Sequence, residues 1–317
     1  MKRPLLLLTS LFFSAVATAT PVTPPRIVGI SQIVEHPSLT EIRVSIEATL
    51  RKSLQDRVTI RYHNANGDLT LSRQIARQLI GEGAEVLIGI STPSTQDFLA
   101  TKTPIPIVFS GCNDPIQAGF LSQLEKPDKN ITGVILKSPV REQVQLIQQI
   151  VPGAKKIGML HTAGEANSVS VAAEFQREVL ALQLVPVVKT VVNSAGVYAG
   201  AQALVSEVDA VLLPTDNTVI STLGVVINLC RKYKKPLFAS DTDSISKGAL
   251  AGLGVDHTLL GKETADIVLQ LLAGKKPREI PVVIPTGNEL HMNRKYEKDY
   301  GVTLSETLVK QAKKIYP

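Results

Sequence analysis

Five short segments of this chain carry the side chains best placed to do chemistry. Ser91-Thr92-Pro93-Ser94, Gly111-Cys112-Asn113-Asp114-Pro115, Gly164-Glu165-Ala166-Asn167-Ser168, Pro214-Thr215-Asp216-Asn217 and Ser240-Asp241-Thr242-Asp243 each follow a short apolar run and precede a helical pattern. Two readings fit any one of them. Ser, Thr, Asp and Asn are favoured helix N-caps, and capping accounts for one polar residue per segment. Each segment carries two or more, which leaves groups over for a ligand. Ser91 and Thr92, with free N–H groups at a helix N-terminus, suit a carboxylate. Glu165, Asp216 and Asp241 suit an ammonium group held by charge-assisted hydrogen bonds. Together these are the complements of an α-amino acid.

Other chemistries match less of the chain. Gly89-Ile90-Ser91-Thr92-Pro93 approaches the G-x-S-x-G nucleophile elbow, and Asp216 or Asp241 followed by His257 repeats the hydrolase order of serine, acid and histidine. Pro93 replaces the final glycine and removes a backbone donor where an oxyanion hole needs one. No G-x-x-x-x-G-K-[ST] occurs, and Gly252-Leu-Gly254-Val-Asp-His257 breaks G-x-G-x-x-G at its last position, so no nucleotide cofactor is expected. The five histidines (His36, His63, His161, His257 and His291) show neither H-x-x-x-H nor H-E-x-x-H spacing, so no metal site is expected. Cys230 shares an apolar helix face with Val226 and Ile227, the setting of a buried free thiol. A bridge to Cys112 stays open as the alternative, because exported chains tolerate free thiols less well.

These segments must be held by regular elements. β-branched runs alternate with amphipathic patterns from Arg26 onward, with strands expected at 26–34, 57–63, 84–90, 105–110 and 131–136. Between them, Ser38 and Glu41 stand at capping-box spacing, and Asp68 opens a helix with Leu71, Ile75 and Leu79 on one face. A second series begins with Ser138 as a cap and Pro139 at the first helical position. It continues with strands at 155–161, 185–192, 209–213 and 236–239 and helices at 165–182 and 217–232. The end of the chain reads as a helix at 261–272, a Pro-bounded strand at 282–284 and a basic terminal helix. Such alternation implies α/β architecture, parallel sheets with helices on both faces, in two half-sized units. In such sheets ligands bind beyond the carboxyl ends of the strands, where the five segments lie.

Composition agrees with a globular chain: 317 residues, 44% hydrophobic and 20% charged, which excludes disordered, collagen-like and coiled-coil classes. A net charge of +6 is spread without a basic tract, so nucleic acid is not an expected partner. Lys2 and Arg3, the apolar run 5–16 and Ala17-Thr18-Ala19 form an export signal, with the mature chain starting after residue 19. The run falls short of the about 20 residues a membrane helix needs, and no cysteine follows it to carry a lipid anchor. A periplasmic protein is expected.

The chain resembles the ABC-transporter substrate-binding proteins of the tryptophan/tyrosine-type class. The resemblance rests on Ile105-Pro-Ile-Val-Phe-Ser-Gly111 with Asn113-Asp114-Pro115, on Asn130-Ile-Thr-Gly133, and on Val151-Pro-Gly-Ala-Lys-Lys-Ile-Gly158. It rests further on Gly164-Glu-Ala-Asn-Ser168, Pro214-Thr-Asp-Asn217 and Gly248-Ala-Leu-Ala-Gly-Leu-Gly-Val-Asp256. The departures are His161-Thr162-Ala163, where such proteins often show Tyr-Asn-Pro, and Ser240, where a Gly often precedes the Asp. The resemblance implies a type I periplasmic binding-protein fold with three crossings between two lobes. It places 26–137 and 241–280 in the first lobe and 138–240 and 281–317 in the second. It implies ligand contacts from Ser91, Thr92, Asn113 and Asp114 of the first lobe. From the second come Glu165, Asn167, Ser168, Thr215, Asp216 and Asn217, with Asp241 at the hinge. The implied function is capture of an amino acid-like solute, aromatic or large and apolar, for a membrane permease and a separate ATPase. A receptor of the same fold feeding a chemoreceptor or sensor kinase is the alternative, and a serine hydrolase using Ser91 the third reading.

Overall fold

A computed structural model of the protein describes residues 24–317; the expected leader at 1–19 lies outside the described residues. The first lobe is an alternating series. It contains β1 (Arg26–Gln32), α1 (Pro37–Leu54), β2 (Val58–Asn64), α2 (Leu69–Gly81), β3 (Val86–Ile90), α3 (Thr92–Ala100), β4 (Ile107–Cys112) and β5 (Ile131–Ile135). The five strands are all parallel, in the order β2-β1-β3-β4-β5. Every residue of β3 and β5 is buried, as an apolar run covered on both faces must be.

The second lobe begins with α4 (Val140–Ile150), β6 (Lys156–Thr162), α5 (Ala166–Ala181), β7 (Val185–Val191), α6 (Val197–Val205) and β8 (Ala210–Leu213). It continues through α7 (Asn217–Ser221), α8 (Leu223–Lys232), β9 (Leu237–Ala239), α9 (Asp243–Lys247) and β10 (Ala251–Val255). The chain returns to the first lobe for α10 (His257–Leu272), which packs on α1. It then crosses back for β11 (Asn288–Asn293), α11 (Glu297–Tyr300), α12 (Glu306–Gln311) and β12 (Lys314–Tyr316). The second sheet runs β12-β11-β10-β9-β8-β6-β7, parallel except where β11 runs against β10. Two separate apolar cores result, one per lobe. The fold is α/β, two doubly wound lobes, as the alternation of runs implies.

The lobe boundaries differ from those expected. Residues 241–254 do not join the first lobe: Ile245, Ala249, Leu250 and Ala251 sit in the second core, and β10 hydrogen-bonds along β9. The crossing falls after Val255, whose side chain is the first to enter the other core. Val282 and Val283, expected in the second lobe, stay on the first, where Val283 bridges Val134 at the free edge of β5. That bridge is all that forms of the strand expected at 282–284.

Local signals were also redirected. His36, not Ser38, caps α1, accepting the Ser38 N–H at its Nδ1, with Pro37 at the first helical position. Ser138 caps nothing; its hydroxyl donates to Asn113 Oδ1 at 3.2 Å. The expected helix 217–232 breaks at Thr222 into α7 and α8. The expected basic terminal helix is mostly β11, β12 and two short helices, and Lys313 is bound to Glu289.

Candidate functional site

The carboxyl ends of both sheets face each other, and side chains from the two lobes bond directly across the gap. Asn217 Nδ2 donates to Ser91 Oγ at 3.1 Å, Asn113 Nδ2 to Thr215 Oγ1 at 2.9 Å, and Ser38 Oγ to Asp243 Oδ2 at 2.7 Å. Ser170 Oγ reaches Asp114 Oδ2 at 3.4 Å. The lobes are therefore closed on one another.

In the first lobe, β3 ends at Ser91, which stands at φ 84° and ψ 159°, a region otherwise left almost entirely to glycine. The turn is tight because a side chain at Gly89 would run into Thr95 of α3. The strained backbone turns Ser91 toward Asn217 rather than into a cap for its own helix. Thr92 is buried too, but its hydroxyl donates to Cys112 Sγ at 3.3 Å. Burial pushes the Cys112 thiol up to about 12, and both Cys112 and Cys230 are free and buried.

The second lobe holds the carboxylates. Asp216 Oδ1 accepts from Thr162 Oγ1 at 2.9 Å and from Val219 N at 2.8 Å; Oδ2 accepts from Thr162 N at 2.6 Å and from the Ser168 hydroxyl. Glu165 accepts from Asn217 N and Nδ2 and from Thr218 N and Oγ1, at 2.5–3.1 Å. Burial, and after it the charge of Asp216, raises the Glu165 carboxyl above its ordinary range. Asp241 differs: its bonds go to Ser244 N at 2.7 Å and Ser244 Oγ at 2.8 Å, which leaves lone pairs on a carboxylate that is only 3% exposed.

Between the lobes lies a cavity that stays partly open to solvent. Its apolar wall is Val34, Leu39, Leu136 and Ile220; its polar wall includes His36, Ser91, Asn167, Asn217, Asp241 and His257. Three polar atoms of residues at this wall are buried without a partner, His36 Nε2, Asn167 Oδ1 and His257 Nδ1. The chemistry of the first two is fixed by the bonds on the other side of each group. His36 Nδ1 accepts the Ser38 N–H, which puts the ring proton on Nε2, so a donor faces the cavity. Burial holds the His36 pKa below its usual value and keeps the ring neutral. Asn167 Nδ2 donates to Thr215 O at 2.9 Å, so its carbonyl oxygen is the free acceptor.

Of the residues singled out from sequence, Ser91, Asn167, Thr215, Asp216, Asn217 and Asp241 line this cavity. Asn113 and Asp114 lie on a neighbouring hollow and act as bonds between the lobes. Glu165 stands behind Asn217 and fixes its amide, while Thr92 and Ser168 are engaged with Cys112 and Asp216. Val34, His36, Leu39, Leu136 and Ile220 were not anticipated, and His257 was considered only as a hydrolase histidine. Four of these follow the carboxyl ends of β1, β5 and β10, where the rule applied to the other strands would have found them.

Two doubly wound lobes that meet over a cavity with polar and apolar walls define a two-lobed solute receptor. The family model for ABC transporter substrate binding proteins matches residues 27–316, and the chain belongs to that family. It is the substrate-binding component of an ABC transporter. A curated relative, the tyrosine-binding protein of Clostridioides difficile (strain R20291), is 31% identical over 84% of this chain and 78% of its own length. A Streptococcus pneumoniae ABC domain solved in complex with L-Trp is 30% identical, covers 92% of this chain and 99% of its own, and superposes with a TM-score of 0.89. A ligand-free, open substrate-binding protein with adhesive properties from Clostridium difficile is 27% identical with the same coverage, but its TM-score is 0.70. The better fit to the complex than to the open chain agrees with the bonds seen here between the lobes.

Proposed function

We propose that this protein captures an aromatic or other large apolar amino acid and delivers it to a membrane permease driven by a separate ATPase. The observation that carries this reading is Asp241: a buried, half-satisfied carboxylate on the wall of an inter-lobe cavity whose apolar side is Val34, Leu39, Leu136 and Ile220. Asp241 and the Asn167 carbonyl take the ammonium group, and His36 Nε2–H with Ser91 takes the carboxylate. The apolar wall takes the side chain. Tyrosine and L-Trp, named for the two relatives, have this chemistry.

The mechanism is a population shift. Groups on both lobes contact the solute only when the lobes are together, so the solute stabilises the closed state that the permease recognises. Transport requires export, and the leader at 1–19 would supply it, leaving a soluble periplasmic protein. The role is binding without catalysis: the Ser91 hydroxyl pairs with an asparagine amide rather than a histidine.

The test is thermal unfolding of residues 20–317 against the twenty amino acids, with sugars and organic acids as controls. A solute at about 100 times its dissociation constant adds about 2.7 kcal/mol and raises the melting temperature. A rise confined to tyrosine, tryptophan and similar side chains is expected. A rise with a sugar or organic acid and with no amino acid overturns the proposal.

A further inference from the structure

One cluster borders the amino acid cavity, sharing His257 with its wall, and joins the two lobes by a different chemistry. Glu41 stands on α1 and His257 on α10, both in the first lobe, while Asp243 opens α9 in the second. His257 Nδ1 lies 3.7 Å from Asp243 Oδ2 and 3.8 Å from Glu41 Oε2, and the three ligand atoms fall within 4.8 Å of one another. The His257 side chain is 2% exposed, and its Nδ1 is buried without a hydrogen-bond partner. It is aimed between two carboxylates that belong to different lobes.

The two carboxylates and the start of α10 are tied down by further hydrogen bonds. Thr258 Oγ1 donates to Glu41 Oε1 at 2.7 Å, leaving Oε2 toward His257. Ser38 Oγ donates to Asp243 Oδ2 at 2.7 Å. Ser45 Oγ donates to Thr258 O at 2.7 Å and ties α1 to the first turn of α10, so Glu41 and His257 keep their separation whether the lobes are open or closed. Lys313, whose charge reaches Glu41, is itself bound to Glu289 and stands 4.0 Å from Asp256. Closure thus brings two carboxylates together around an unpartnered imidazole nitrogen.

We propose that Glu41, Asp243 and His257 bind a divalent transition-metal ion of the zinc class, and that this ion clamps the closed lobes. Atoms bonded to one such ion at about 2.0–2.2 Å lie roughly 3–4 Å apart, close to the spacings here. One imidazole and two carboxylates suit zinc; magnesium and calcium prefer all-oxygen sets. A hydrogen bond on the far oxygen of a ligating carboxylate, as Thr258 makes to Glu41, is a usual second tier of a metal site. Two of the three ligands come from one lobe and the third from the other, so the full set exists only after closure. The ion then favours the closed state as the amino acid does, from a separate set of contacts.

The experiment is calorimetric titration of the full mature chain with zinc alone, without any amino acid, at fixed pH. Wild type is compared with Asp243→Asn and Glu41→Gln, neither of which lines the amino acid cavity. Thermal unfolding without metal shows whether each variant folds. Wild type is expected to bind one ion, each variant to lose about tenfold or more in affinity, and calcium to bind far more weakly. Small-angle scattering should show zinc reducing the radius of gyration of the wild type and not of Asp243→Asn. Equal zinc affinity in all three proteins overturns the proposal and assigns the ion to other histidines. So does absence of binding at micromolar zinc, or closure that follows pH but not metal.

Discussion

β8 and β9 lie side by side in the second sheet, and each is followed by an aspartate that accepts hydrogen bonds from the next short helix. Asp216 after β8 is also bound by Thr162 of β6, through backbone and hydroxyl, and by Ser168 of α5. Asp241 after β9 has Ser244 alone. The difference comes from the neighbouring strand. β8 is flanked by β6, whose last residue is a threonine, while β9 is flanked by β10, where Gly252 and Gly254 stand. A Cβ at Gly254 would come 2.5 Å from the Ser240 carbonyl oxygen, and one at Gly252 would come 2.8 Å from that of Asp241. The loop after β9 nests on bare backbone, and no side chain from β10 reaches its carboxylate. One aspartate is structural because its neighbours saturate it; the other keeps capacity for a solute because its neighbours have nothing to offer.

Replacing Asp216 by Ala gives the largest expected effect and falls on the fold. Four buried donors would lose their acceptor, each at roughly 1–3 kcal/mol before relaxation. A loss of at least about 3 kcal/mol in urea unfolding follows. If Asp216→Ala kept wild-type stability and lost only solute binding, the two aspartates would have to exchange roles.

Asp241→Ala is expected to fall on solute binding as well. Stability should fall by about half as much as for Asp216→Ala, because two buried donors, Ser244 N and Oγ, lose their acceptor rather than four. Affinity for the amino acid should fall by about 1.5–3 kcal/mol, the value of a charged hydrogen bond, or roughly tenfold to over a hundredfold. Calorimetry on the purified variant separates the two quantities. An unchanged affinity removes Asp241 from the site while leaving the solute class to the thermal screen.

The contrast between these residues was invisible in the sequence, where both follow an apolar run and precede a helix. The runs themselves were legible, since fully buried parallel strands such as Val86–Ile90 are continuous and β-branched. β10 was missed because Ala251-Gly-Leu-Gly-Val255 has the glycines of a phosphate loop and little strand propensity. That omission also misplaced the crossing and hid His257 at the strand's carboxyl end. His36 was missed for another reason: its capping role depends on Pro37 opening the helix, while Ser38 offered a more familiar signal. Glu41, Asp243 and His257 have no spacing that marks a ligand set, because two crossings of the chain bring them together. Spacing within one helix reports neighbours; it says nothing of neighbours across a hinge.

The smallest expected effect concerns pH and sharpens the view of what Asp216 does to its neighbour Glu165. Glu165 lies behind Asn217, and its carboxyl is raised first by burial and then by Asp216. A raised carboxyl means the folded chain holds this proton more tightly than the unfolded chain does. Stability from this group is therefore complete below the ordinary glutamate value of 4.5 and is lost as pH rises from there through the raised folded value. Asp209 and Asp256, whose carboxyls are lowered, contribute the opposite slope and mask it in the wild-type profile. Subtracting the profile of Glu165→Gln removes what the two proteins share. The difference in unfolding free energy, wild type minus variant, should decline across that window and then level off. Adding Asp216→Asn to both proteins should shrink the decline, because the neighbouring negative charge is gone while the burial remains. A decline of the same size in the Asn background would assign the shift to burial alone and leave Asp216 without electrostatic hold on the loop that aims Asn217 at Ser91.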